Sequence, residues 1–340
     1  MSFWPSTNGA GNGMLAYGLG LRPKRRVPSA PPSFDTGYTW INGDLVPDED
    51  AAGHLLSPAL HFRPDVFAGI RCYSTLRGPG VFRLDGHLQR FLQAVKVLGV
   101  SDFRWTIADL RRAVAATIQA NSFQDCYIRP VLYFGGRIGL DPDSYEPHLA
   151  VAAWEWDSRI GTSNQQGVRM MVASFAEIHP NTHITKGGPN AQFVNTILAR
   201  SAARRAGFDE AILLDADGFV AECTGENLFV VRDGVIYTPP RTSAREGITR
   251  DTIITLARDL GYHVVEERLS RAHLDSAGEI FMGSTAAEVV PVGEVDSRTL
   301  GDGQSGPVTR AIQQLYFDTV RGRGVRSPGW VEYVMMEPLY

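Results

Sequence analysis

Cysteine is scarce. The chain has three in 340 residues, Cys72, Cys126 and Cys223, far apart and without ligand-like spacing. That excludes a disulfide framework and a zinc site, and no metal is expected. It suits a reducing compartment, and a cytoplasmic location is expected. Long apolar runs are also missing. None approaches the roughly 20 residues of a membrane-spanning helix, and no apolar signal core follows the start. No membrane partner is therefore expected. Excess charge of one sign is missing too. A formal net charge of −4 offers no basis for nucleic acid or an anionic membrane as partner. The chain contains no internal repeat and no low-complexity tract.

What remains is ordinary for a soluble globular enzyme: 44% hydrophobic and 21% charged residues. The length suffices for two domains and a large core. Met1 to Ser33 are rich in Gly, Pro and Ser, with a basic cluster at Arg22 to Arg26, and residues 1–36 read as a flexible arm, a transit peptide and an ordered arm packed on a partner subunit being the alternatives. Residues 37–156 read as a small N-terminal domain. Tyr38 to Val46 is a hairpin turning at Asn42-Gly43. Val66 to Tyr73 is strand-like or an extended loop edge. Gly86 to Gly99 is a helix with Leu88, Phe91, Leu92, Val95 and Leu98 on one stripe, and Thr106 to Asn121 is a second. Cys126 to Phe134 and His148 to Trp156 read as strands.

Polar, Gly/Ser-containing residues 157–166 read as an interdomain connection. A larger, strand-dense domain follows over 167–325. Its strands are Arg169 to Phe175, Ala211 to Asp215, Phe219 to Glu222, Leu228 to Val231, Val235 to Thr238 and Glu279 to Met282. Its helices are Val194 to Ala206 and Thr249 to Leu260, each closed by a glycine. Residues 326–340 read as a tail. The fold class is α+β in two domains, without regular βαβ alternation.

Four segments of the larger domain carry chemistry. Lys186 lies in Thr185-Lys186-Gly187-Gly188. Glu222 precedes Cys223-Thr224-Gly225-Glu226. Gly247-Ile248-Thr249 opens a helix. Gly283-Ser284-Thr285-Ala286 follows a strand end. Together they form a kit for pyridoxal 5'-phosphate. The lysine forms a Schiff base, a carboxylate pairs with the ring nitrogen, and glycine-led turns with free N–H groups hold the phosphate. Glu226, four positions on, competes with Glu222 for the carboxylate role. Arg90 is the natural charge partner for a phosphate.

With these residues placed, the chain resembles the class IV (fold type IV) pyridoxal-phosphate aminotransferases, and within them the branched-chain amino acid aminotransferases. The similarity covers roughly Trp40 to Phe317. It is carried by Val66 to Tyr73, Tyr127-Ile128-Arg129-Pro130, Asp209 to Asp215, Glu222 to Phe229, Gly247 to Asp251 and Gly283 to Val292. The resemblance implies that Lys186 is the Schiff-base lysine and that Glu222 faces the ring nitrogen. Arg90, Thr249, Thr285 and the backbone of Ile248 would hold the phosphate. Ser284, Thr285 and Ala286 would line a turn that meets the substrate carboxylate. Phe67, Tyr127 and Arg129 would line the substrate pocket, the arginine taking the distal carboxylate of glutamate. The implied partners are an amino acid and a 2-oxo acid, with 2-oxoglutarate/glutamate as one pair. The implied assembly is a homodimer or higher homo-oligomer.

The chain departs from the family pattern in places. A tyrosine usual after the histidine is Phe62 here, and Phe-Glu-Gly is Phe67-Ala68-Gly69. The tyrosine expected after the lysine appears as Phe193, with Pro189-Asn190 as an insertion. Arg245-Glu246 stands where a leucine often packs on the cofactor ring. These departures keep other readings open: a specialised biosynthetic substrate, a D-amino acid or (R)-amine, or a lyase resembling aminodeoxychorismate lyase.

Overall fold

The computed structural model describes residues 37–62, 64–100, 103–141, 144–156, 167–176 and 193–335. All of them belong to one compact unit that begins at Asp35. The arm at 1–36, the connection at 157–166 and Lys186 lie outside the described residues.

The first half contains β1 (Tyr38–Ile41), β2 (Asp44–Pro47), α1 (Pro58–Phe62), β3 (Val66–Phe67), β4 (Ile70–Thr75), β5 (Gly78–Phe82), α2 (Leu84–Val97), α3 (Ile107–Ala120), β6 (Cys126–Gly136) and β7 (Tyr145–Trp154). β1 and β2 make the expected hairpin, and both turn residues, Asn42 and Gly43, take positive φ. The strand expected over 66–73 is split at Ala68-Gly69. β3 and β4 each pair antiparallel with β6, and the Ala68 N–H donates to the Pro130 carbonyl at 3.0 Å across the break.

α2 buries Leu88, Phe91 and Val95 and stops before Gly99, whose φ of +75° suits a residue without Cβ. α3 begins at a capping box. Asp109 N–H donates to Thr106 Oγ1, and Thr106 N–H donates to Asp109 Oδ2. Both helices join the core of this half, α2 through Leu88, Phe91 and Val95 and α3 through Leu110, Val114 and Ile118.

The second half contains β8 (Val168–Ala176), α4 (Phe193–Arg205), β9 (Glu210–Leu214), β10 (Val220–Cys223), β11 (Asn227–Arg232), β12 (Val235–Thr238), α5 (Ile248–Asp259), β13 (His263–Glu266), α6 (Arg271–Asp275), β14 (Glu279–Ser284), β15 (Glu288–Val295), β16 (Arg298–Thr299), α7 (Pro307–Val320), α8 (Ser327–Trp330) and β17 (Val331–Tyr333). Its sheet runs β10-β9-β8-β15-β14-β11-β12-β13, with β16 on β15. β8 pairs parallel with β9 and β15, and β12 with β13; the other pairings are antiparallel. The mixed pattern is that of an α+β fold.

α5 and α7 cover one region of this sheet, with Ile253, Leu256, Ile312 and Tyr316 in a shared apolar cluster. The α7 N-terminus is held by Glu279, whose carboxylate accepts from the N–H groups of Val308 and Thr309 at 3.0 and 2.9 Å.

The first sheet runs β17-β5-β4-β6-β7-β1-β2. Its edge strand β17 therefore comes from 331–333, within the stretch that sequence alone reads as a tail. Cys72 and Cys126, distant in sequence, are register partners on β4 and β6, fully buried as free thiols. Hydrogen bonding with Cys72 and burial push the Cys126 thiol far up. Among the described residues no helix is long and apolar enough to cross a membrane.

Phe229 and Phe281 stack in the second sheet with centroids 4.9 Å apart, both fully buried. Phe281→Ala is expected to destabilise the protein by about 3–5 kcal/mol. Leu76→Ala, at a side chain 98% exposed, is expected to change stability by less than about 0.5 kcal/mol. Equilibrium denaturant unfolding measures both, and similar losses for the two variants would refute the core assignment.

Candidate active site

The site is built around the start of α5. Its N-cap is Gly247, which offers no side-chain cap, so the first N–H groups of the helix keep their donors. Glycine is required here by close approach: a Cβ would stand 2.4 Å from Asn227 Oδ1. Asn227 Nδ2 in turn donates to the Arg245 carbonyl at 3.1 Å, which ties β11 to the loop before the helix. Thr249, in the first turn, is buried, and its Oγ1 lies 3.4 Å from Thr285 Oγ1 in the turn after β14. Ser284 Oγ in that turn accepts from the Ala287 N–H at 3.0 Å.

Arg90 reaches the same place from α2 and donates to the Glu246 carbonyl at 3.0 Å. Burial holds its guanidinium below the usual arginine range, and repulsion from Arg245 adds to this. A desolvated cation, two hydroxyls and an uncapped helix start together form a seat for a phosphate.

Glu222, on β10, is 2% exposed. Its Oε2 accepts from the Arg245 backbone N–H at 3.0 Å. Its Oε1 stands 2.8 Å from Arg245 Nε as an ion pair, yet among the described residues no aligned hydrogen bond reaches it. It is therefore a buried acceptor with hydrogen-bonding capacity to spare, the feature that a protonated ring nitrogen would satisfy.

Glu226 is also buried. Loss of hydration and, behind it, the Glu210 carboxylate push its carboxyl up to about 8, with Glu222 adding to the rise. Arg200 and Arg245 act in the opposite direction. Of the two candidate carboxylates, Glu222 holds the ion pair. A buried carboxyl like Glu226 stays protonated at neutral pH.

An aromatic wall faces these groups from the first half. The Tyr127 hydroxyl lies directly against Gly69, where a Cβ would approach it within 1.8 Å. The Tyr127 ring packs against both Trp154 and Trp156, with centroids 5.1 and 5.2 Å away, and the two tryptophans meet each other at 6.4 Å. Trp156 Nε1 donates to the Ala286 carbonyl at 2.9 Å, joining the wall to the Ser284–Ala286 turn. The Arg129 guanidinium sits 4.3 Å from the Phe67 ring centroid, and its Nε is buried with no hydrogen-bond partner among the described residues. Phe67 stacks on Phe193 at 5.9 Å, and Arg245 lies 5.2 Å from the Phe193 centroid. The Phe67–Phe193 pair lines a cavity of about 510 Å³ with Val131 and Tyr133.

Arg90, Glu222, Thr249, Ser284, Thr285, Ala286, Tyr127, Arg129, Phe67 and Phe193 are thus linked by direct contacts or shared neighbours, and Ile248 supplies the first helical residue beside them. Lys186 lies outside the described residues. Phe62 is 41% exposed at the end of α1. Trp154, Trp156 and Asn227 escape sequence reasoning: strand pairing brings Trp154 and Asn227 to the site, and the path of the chain beyond β7 brings Trp156. Trp156 does carry a signal, an aromatic at the end of an expected strand.

The family model for amino-transferase class IV matches residues 66–295. The branched-chain-amino-acid aminotransferase of Escherichia coli K12 is 42% identical over 301 residues, covering 87% of this chain and 97% of that protein. Its Pseudomonas aeruginosa counterpart is 38% identical over 296 residues, covering 86% and 96%. A solved structure, the branched-chain amino acid aminotransferase of Thermobaculum terrenum in its PLP form, superposes with a TM-score of 0.83. It is 30% identical, with 88% of this chain and 99% of that one covered.

Burial of Glu226 has a pH signature. Its folded-state carboxyl titrates near 8, above about 4.3 for an unfolded glutamate. Between those values the folded state binds more protons than the unfolded state, so this group's contribution falls as pH rises. Glu226→Gln is expected to raise Tm over wild type by several degrees at pH 9, and the gap should close toward pH 5. A gap independent of pH in thermal melts would contradict a protonated Glu226.

Proposed function

The chain belongs to the class IV aminotransferases, and from that premise we propose that it exchanges the amino group of a branched-chain L-amino acid with 2-oxoglutarate. The route is ping-pong, with pyridoxal 5'-phosphate as cofactor. The observation that carries this reading is one juxtaposition. A phosphate seat at the α5 start stands beside a buried carboxylate with an unfilled acceptor at Oε1. The donor set fits the cofactor: cation, hydroxyls and free N–H groups for the phosphate, and a carboxylate for the ring nitrogen. When bound, the cofactor supplies an electron sink for charge developing at the amino acid α-carbon.

The chain's own residues do the rest. Lys186 is the amine that bonds the cofactor and then moves the proton at the α-carbon. Glu222 holds a proton on the ring nitrogen. Arg90, Thr249, Thr285 and the backbone of Ile248 bind the phosphate. The Ser284-Thr285-Ala286 turn receives the substrate α-carboxylate. Phe67 and Tyr127 give the side-chain pocket an apolar surface suited to a branched aliphatic group, and Phe193 borders the cofactor. Arg129, with its unfilled Nε, takes the distal carboxylate of glutamate.

The first sheet without β17 corresponds in this reading to a small domain, 37–156, and the second sheet to a large one, 167–325. The protein works as a cytoplasmic homodimer. Exposed Leu55, Leu56 and Leu60, and Val194, Ile197 and Leu198 on α4, support a subunit contact. Leu60 and Phe193 line the same cavity.

The test is to incubate the protein and pyridoxal phosphate with L-leucine, L-valine, L-glutamate, D-alanine or an (R)-amine, and to follow amino transfer by product chromatography. Turnover of L-leucine and L-valine with 2-oxoglutarate is expected, with a loss of at least about 100-fold in Lys186→Ala. Turnover confined to D-alanine or the amine would overturn the substrate assignment, as would, in a parallel incubation with aminodeoxychorismate, release of pyruvate in place of amino transfer.

A further inference from the structure

Arg245 makes two separate contacts with Glu222. Its backbone N–H donates to Oε2 at 3.0 Å, and its guanidinium Nε sits 2.8 Å from Oε1. The first contact fixes the carboxylate. The second brings a full positive charge to the oxygen that keeps an unfilled acceptor. The guanidinium is itself held in place, 5.2 Å from the Phe193 centroid, with Phe193 stacked on Phe67.

We infer that Arg245 is a positioning residue for Glu222 whose guanidinium shares the carboxylate's charge with the cofactor's ring nitrogen and so weakens that nitrogen's hold on its proton. This rests on the reading that Glu222 faces the ring nitrogen. Two cations on one carboxylate repel each other, so each is held less firmly than it would be alone. Solvent screens part of the effect, because the Arg245 side chain is 40% exposed; the Glu222 end is 2% exposed and is screened far less. Glu226 does not relieve the competition, since its own carboxyl holds its proton to about pH 8.

Arg245 also acts on Arg90, whose guanidinium it pushes down. Its charge therefore reaches the phosphate seat, where it favours an anion. The two effects have opposite signs: Arg245 disfavours a protonated ring nitrogen and favours a phosphate. A dissociation constant for the cofactor alone would mix them. A comparison with an analogue that keeps the phosphate but carries carbon in place of the ring nitrogen separates them.

The experiment measures dissociation constants of pyridoxal phosphate and of that analogue by fluorescence quenching, in wild type, Arg245→Leu, Arg245→Lys and Glu222→Gln. The quantity read is the ratio of the two constants, cofactor over analogue, from which phosphate effects cancel. In Arg245→Leu the ratio is expected to fall about tenfold, the scale of removing one unit charge from a partly solvated site. In Arg245→Lys, which keeps the charge, it is expected to return toward wild type. An unchanged ratio overturns the inference, including the case where both constants weaken together. So does a fall that lysine does not reverse. A different result would bring down the underlying reading instead: wild type failing to bind pyridoxal phosphate, or Glu222→Gln leaving the ratio at its wild-type value.

Discussion

A carboxylate taken out of water needs partners for its charge and its lone pairs, and Glu222, at 2% exposure, takes both its ion pair and its backbone hydrogen bond from Arg245. Much of the surrounding architecture serves that arrangement. β10 carries Glu222 and pairs with β9, whose first residue, Glu210, adds a second buried acid. The loop ahead of α5 brings the Arg245 backbone within hydrogen-bonding distance, and Asn227 on β11 fixes that loop through the Arg245 carbonyl. Charge repulsion among Glu210, Glu222 and Glu226 is relieved by keeping a proton on Glu226.

The same loop ends at Gly247, so the residues that anchor the carboxylate also deliver the uncapped start of α5. A buried carboxylate and the free N–H groups of a helix start are thus tied to one short segment, residues 245–249. The aromatic wall is joined to the site at two points: Trp156 to the Ala286 carbonyl, and Phe193 to the Arg245 guanidinium. Small residues at Gly69 and Gly247 are what allow the parts to approach so closely.

Much of the fold was legible from local pattern. α2, α3 and α5 carry apolar stripes at helical spacing, and their observed bounds lie within two residues of those expected. Gly99 and Gly261, both at positive φ, close α2 and α5. The hairpins at Asn42-Gly43 and Asp233-Gly234 follow from turn chemistry, since each needs positive φ. Other elements were hidden. β15 contains Pro291 and Gly293, which argue locally against a strand. It forms because β14 pairs along it, and its pairing with β8 begins only at Val292, after the proline. β13 is four residues long and gains its partner from a parallel pairing with β12. α7 did carry a signal, with Pro307 at its first turn and apolar residues at 308, 312, 316 and 320. β17 crosses from the far end of the chain to the first sheet, a non-local pairing that no window of sequence contains.

By itself the sequence determined the residue types and their order: a lysine, a carboxylate ahead of a glycine turn, an uncapped helix start, and a hydroxyl-bearing turn after a strand. These are local chemistry, and the segments that carry them mark the family. Only the tertiary structure decided who meets whom. It set Cys72 opposite Cys126, Trp156 on Ala286, and Arg245 on Glu222. Those pairings depend on strand register and loop path, which are set by the packing of the whole chain and not by the residues that flank each partner.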